Sequence, residues 1–150
     1  MTFTRAAASV IVATLAVASF AVAQSTQKTL FDRLGGRAGI TAVVDDFVAN
    51  CAADTRINRF FAETAKDPKR MAMFKGHLVD QLCEATGGPC KYTGKNMRDA
   101  HRGMGISSAD FDALVEDLVK SLTKFNVSAA DQKILLGVLG PMKADMVEKK

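Results

Sequence analysis

Residues 96–106 read NMRDAHRGMGI and hold His101, one of only two histidines in a chain of 150 residues. Wound as a helix, the stretch puts Met97, Ala100, His101 and Met104 at i, i+3, i+4 and i+7, on one face. An imidazole is thus aimed along an otherwise apolar stripe. Gly103 and Gly105 follow so closely that the helix has to end. Taken alone, a core histidine hydrogen-bonded to a backbone carbonyl is the commoner reading of such a residue. The rest of the chain shifts that balance.

Helical periodicity extends outward from this segment in both directions, and no alternating strand pattern interrupts it. TLFDRL predicts a short first helix stopped by Gly35 and Gly36. From Ala38 to Ala53, Ile40, Val43, Val44, Phe47, Val48 and Cys51 trace a helical stripe. DTRINRFF reads as a tight turn or short helix ending on Phe60 and Phe61. Pro68 suits a helix N-terminus. The stripe Met71, Phe74, Leu78 and Leu82 then runs until Gly87, Gly88 and Pro89 break it. Beyond His101, Ser107 or Ser108 caps a helix carrying Phe111, Leu114, Val115, Leu118, Val119 and Leu122. Ser128 and Asp131 resemble a capping box that opens the last helix, which Pro141 should kink. The fold class is all-α.

The first residues carry a different signal. Arg5 precedes an apolar run from about Ala6 to Phe20, and Ala21-Val22-Ala23 gives the small-x-small pattern of a signal-peptidase site. Residues 1–23 are therefore expected to be a cleaved leader, and 24–150 a single domain. The expected destination is the periplasm or the secreted fraction, with no membrane attachment after cleavage. Removing Arg5 from the 20 basic residues leaves 19 against 16 acidic ones, a net charge of +3. These charges alternate along the chain with little aromatic interleaving, so no nucleic-acid surface is expected.

Export would expose Cys51, Cys83 and Cys90 to an oxidising compartment. Cys83 and Cys90 flank EATGGP, which can reverse the chain and allow a bridge, while Cys51 lies on an apolar stripe as a buried thiol. A Cys51–Cys83 bridge is the alternative pairing. Three cysteines and two distant histidines give no zinc spacing. The chain has no C-x-x-C-H, no glycine-rich phosphate loop after a strand, and no partnered serine nucleophile. Two histidines on separate apolar helical segments remain, a pattern compatible with haem ligation.

Four segments together resemble a group 1 truncated haemoglobin. They are LFDRLGGRAGITAVVDDF, RINRFF, ATGGPCKYTGKNMRDAHRGMGISSADFDALVEDL and GVLGPMKADMV. The resemblance runs from about Thr29 to Val147. It implies a two-over-two helical sandwich around one haem b per chain, with His101 as the proximal iron ligand. Phe61 matches the phenylalanine that packs on the haem. Phe47 matches the residue before a tyrosine that in many members donates to bound dioxygen, and here that next position is Val48. Phe74 and Leu78 fall where glutamine or another polar residue is frequent. His77 matches a position at which some relatives bind iron from the second side. Met97 is placed beside the cofactor, and Met97, Met104 and Met142 are read as filler rather than axial ligands.

Two functions follow from the resemblance. One is reversible binding of dioxygen or nitric oxide, with carbon monoxide as a further ligand. It extends to a nitric oxide dioxygenase-type activity that would draw on an electron-donor protein. The other is a six-coordinate electron carrier or gas sensor using His101 and His77. A third reading needs no cofactor and makes the chain a disulfide-stapled helical interaction domain.

Overall fold

In the computed structural model, residues 27–149 are described, so the expected leader lies outside the described residues. The first helix, α1 (Leu30–Arg33), opens on a capping box. The Thr29 hydroxyl accepts from the Asp32 backbone, and Asp32 in turn accepts the Thr29 backbone N–H. Gly35 and Gly36 then turn the chain into α2 (Gly36–Ala53). Every apolar residue of its predicted stripe, Ile40, Val43, Val44, Phe47, Val48 and Cys51, is buried.

The RINRFF stretch forms a 3-10 turn, Asn58–Phe60, followed by a one-turn helix, α3 (Ala62–Ala65), that the periodicity did not announce. Asp67 caps the next helix, α4 (Pro68–Ala85), through the N–H groups of Lys69 and Arg70, with Pro68 in the first turn. After the irregular Gly87–Lys95 segment comes α5 (Met97–His101), only five residues long and capped by Asn96. The longest helix of the second half, α6 (Ser108–Lys124), starts on a capping box between Ser107 and Asp110.

The C-terminal helix departs from a simple kink. It divides into α7 (Ala129–Leu139), a 3-10 turn at Gly140–Met142, and α8 (Lys143–Met146). Proline removes one backbone donor and clashes with the preceding turn, and here that ends the α-helix outright. The expected capping box at Ser128 is only half formed. Ser128 accepts the Asp131 N–H, but the Asp131 carboxylate instead pairs with Arg33 of α1 at 2.8 Å.

Helix α2 packs against both α4 and α6, α1 leans on α7, and α5 is held by α8. The result is the two-over-two sandwich, α2 and α4 facing α6 and α7–α8. A continuous core runs through it from Leu30 and Ile40 to Leu122 and Leu135. Cys83 is bonded to Cys90, and Cys51 is left as a buried free thiol. The Cys83–Cys90 pairing, rather than Cys51–Cys83, therefore staples the end of α4 to the segment before α5. Among the described residues, no helix is long and apolar enough to cross a membrane.

Candidate functional site

Between the helical layers lies a cavity of about 870 Å³, near the upper end of the roughly 300–1,000 Å³ span of small-molecule sites. Its wall is mostly apolar. Phe47 comes from α2, Phe61 from the 3-10 corner, Phe74 and Leu78 from α4, and Leu114 and Leu118 from α6. The rings of Phe61 and Phe74 meet at 5.9 Å with a 54° tilt, so two elements share one aromatic wall.

All four members of the predicted α5 face reach this cavity: Met97, Ala100, His101 and Met104. The short helix exists to aim them, since α5 ends at His101 and the chain turns away at once. His101 Nδ1 lies 2.7 Å from the carbonyl oxygen of Met97. A carbonyl only accepts, so Nδ1 carries a proton, and in the neutral ring Nε2 is then the nitrogen with the lone pair. That is the tautomer a metal-ligating imidazole needs, fixed by its outer hydrogen bond. The carbonyl bond expected of a core histidine is also the bond that would orient a ligating imidazole.

Two backbone positions complete the α5 corner. Gly103 and Gly105 have φ of 78° and 65°, in the left-handed region that favours glycine. Their N–H groups donate to the two carboxylate oxygens of Glu148 at 2.7 and 2.6 Å. These bonds hold the Glu148 carboxyl below its usual range, Gly103 contributing most and Gly105 next.

His77 lies on α4, in the wall of the same cavity, and its ring stands edge-on to Tyr92 at 5.9 Å. The two histidines, 24 residues apart, therefore reach one space. Val48 does not. It is buried on α2 but is absent from the cavity wall, where Val44 and Phe47 stand for that helix. Met104 also differs from the expectation of core filler, being 37% exposed at the cavity's edge.

Several wall residues escaped the sequence reading. Gln81, three residues after Leu78, was detectable from helical spacing alone. Its Nε2 sits 3.4 Å from both the Met97 and Met142 sulfurs, which places an amide in a wall expected to be purely apolar. Tyr92 sits in an irregular stretch with no period to read, and burial pushes its phenol upward. Arg70 and Lys95 also border the cavity. Buried apolar walls, one imidazole with a fixed tautomer, and basic groups at the margin fit a planar apolar macrocycle bearing acidic substituents.

A helical shell enclosing such a cavity, with an imidazole in its wall, is a globin site. Residues 29–148 match the bacterial-like globin family, and the chain belongs to it. The group 1 truncated haemoglobin of Tetrahymena pyriformis is 33% identical over 122 residues, covering 81% of this chain and 97% of that protein. That of Tetrahymena thermophila is 36% identical over 102 residues, covering 68% and 80%. The solved Fe(III) form of the T. pyriformis protein superimposes with a TM-score of 0.73 at 32% identity, over 81% of this chain and all of that one. The 2/2 haemoglobin of Synechococcus sp. PCC 7002, solved in the cyanomet state with covalently attached haem, gives 0.73 at 33% identity, with coverage of 81% and 100%. The chain is thus a truncated haemoglobin: its cofactor is haem, and its task is haem-based binding of a gaseous ligand.

Proposed function

We propose that His101 is the proximal iron ligand and His77 the distal one, and that dioxygen or nitric oxide binds in competition with His77. One observation carries this reading. Two imidazoles from different helices line one apolar cavity, and one of them has its tautomer fixed for ligation. Haem supplies an iron that accepts imidazole and a diatomic gas on its two faces. The protein's part is to hold His101 through Met97, to keep His77 within the wall, and to exclude water with Phe47, Phe61, Phe74 and Leu78. Arg70 and Lys95 would meet the acidic edge of the cofactor. Met97 stands beside it and bonds to Gln81 rather than serving as a ligand.

Position 48 is valine, and Phe74 and Leu78 are apolar, so the distal side lacks the usual tyrosine and glutamine donors. A buried donor contributes roughly 1–3 kcal/mol to an acceptor that carries charge. Weak retention of dioxygen follows, and nitric oxide or carbon monoxide, which depend less on a donor, are favoured. Conversion of nitric oxide to nitrate would need an electron-donor protein. A second reading, a bis-histidyl electron carrier or redox or gas sensor, is favoured by His77 itself. An imidazole already in the wall competes with every external ligand. Export to the periplasm or the secreted fraction is supported by the composition of residues 1–23 and by the disulfide, which suits an oxidising compartment.

Ferric, ferrous and carbon-monoxide spectra of the purified protein test both readings. A low-spin six-coordinate resting state that becomes five-coordinate in His77→Ala is the expected result. A wild-type spectrum in His77→Ala would remove His77 from the iron. Unaltered pigment in His101→Gly would remove His101.

A further inference from the structure

We propose that Tyr92 is a positioning residue for His77, holding the imidazole in the cavity wall and so setting how strongly His77 competes with external ligands. The inference rests on the reading that His77 reaches the iron. Tyr92 and His77 both line the cavity, and their rings meet at 5.9 Å and 73°, the edge-to-face arrangement that aromatic pairs prefer. Among the described residues no hydrogen bond holds His77, and the ring of Tyr92 is the specific partner its side chain meets.

Tyr92 is anchored well enough to act as a platform. Its hydroxyl donates to the Lys95 carbonyl at 2.7 Å, and its backbone N–H donates to the Glu84 carboxylate at 2.9 Å. Two residues earlier, Cys90 is bonded to Cys83, two residues before the end of the helix that carries His77. Lys91 adds a 3.0 Å ion pair to the same Glu84. The segment from Cys90 to Lys95 is therefore fastened to the C-terminal half of α4 by a covalent bond, a backbone bond and an ion pair. The platform moves with the helix that bears His77.

On α4, His77 is half-buried, with cavity-lining Phe74, Leu78 and Gln81 on one side and Met73, 61% exposed, on the other. Such a marginal side chain has two choices, the wall or solvent. Tyr92 favours the first by giving the ring an edge-to-face partner that itself lines the cavity. Fixing a rotor in its bound orientation before the ligand bond forms lowers the entropy lost when it forms. Losing the pair is expected to shift the ratio of bound to free His77 by roughly two- to tenfold.

The test uses the haem-loaded protein and four variants: His77→Ala, Tyr92→Ala, Tyr92→Phe and the His77→Ala/Tyr92→Ala pair. Spin state and the rate of carbon monoxide binding to the ferrous form are read for each. Tyr92→Ala is expected to lower the six-coordinate fraction and speed carbon monoxide binding. Tyr92→Phe, which keeps the ring, stays near wild type. In the His77→Ala background, Tyr92→Ala adds nothing to the rate. Unchanged spectra and rates in Tyr92→Ala, or an equal acceleration with and without His77, would overturn the proposal while leaving His77 on the iron. No change in His77→Ala alone would instead overturn the reading beneath it. Nuclear Overhauser contacts between the His77 and Tyr92 rings in the wild-type ferrous six-coordinate form give a check that needs no variant to fold. They are expected, and their absence would overturn the assignment.

Discussion

The carboxylate of Glu148 accepts the backbone N–H of Gly105 at 2.6 Å, across 43 residues of sequence. Its other oxygen takes the N–H of Gly103, and the Glu148 and Lys149 N–H groups both donate to the Ile106 carbonyl. The tail thus closes the corner that immediately follows His101. A glutamine offers one acceptor where the carboxylate offers two charged ones, so Glu148→Gln frees one of the two glycines. Haem transfer to an excess acceptor protein is expected to be faster in Glu148→Gln, with a lower melting temperature by circular dichroism. Equal haem loss in the two proteins would show that the tail does not hold the His101 corner.

The same carboxyl gives a pH dependence. Its folded value lies below the ordinary 4.5, so the unfolded chain takes up the proton first as pH falls. The stabilisation is complete above about 4.5 and is lost as pH drops through the folded value. Wild type and Glu148→Gln should therefore converge in melting temperature below pH 4 and separate toward neutrality. A gap that stays constant from pH 3 to 7 would exclude this carboxylate as its source.

How much of this was readable beforehand differs between local and distant features. The helix stripes, Pro68 at a helix start and the Ser107 cap depend on neighbours within one or two turns, and the sequence displays them directly. Helix α3 is a single turn with no stripe, so it left no period to detect. The cavity face around His101 was legible because its four members are spaced for one side of a helix. The Glu148 clamp was not, since a glutamate in a charged C-terminal tail looks like any solvated residue. Val48 shows the opposite failure. Its place next to Phe47 aligned it with a pocket residue, but a one-residue step on a helix is about 100° of rotation, and the side chain turns into the core. Export remains a reading of residues 1–23.

Cys83 and Cys90 close a short loop, and in the chain-entropy picture such a bridge contributes about 2–3 kcal/mol. Replacing both cysteines by serine is expected to lower the melting temperature by several degrees. Dithiol treatment of the wild type should reproduce the shift and leave the serine variant untouched. If reduction has no effect on the wild-type melt, the bridge carries no stability.

Cys51 is fully buried, and burial, followed by the negative charges of Asp117 and Asp54, pushes its thiol up to about 12. The thiolate is the reactive form, so the folded protein is expected to resist alkylation at neutral pH. Mass spectrometry after iodoacetamide should show one adduct only once the chain is denatured. Stoichiometric labelling of the native protein would mean that the α2–α6 packing opens readily.

Leu78 sits on the cavity face of α4, one residue from His77, in the wall that Phe47 of α2 also lines. An amide there would place a donor where the Leu78 side chain now offers only hydrocarbon. A hydrogen bond to a buried acceptor contributes about 1 kcal/mol net, roughly a fivefold change in an equilibrium. Leu78→Gln in the His77→Ala background, free of the imidazole proposed to compete, is therefore expected to slow dioxygen release about fivefold. Carbon monoxide release, which gains less from a donor, should change little. The same substitution buries a polar group, so the melting temperature falls even as dioxygen is held longer. Equal effects on the two gases would point to altered access rather than a hydrogen bond, and an unchanged dioxygen rate would place position 78 outside reach of the ligand.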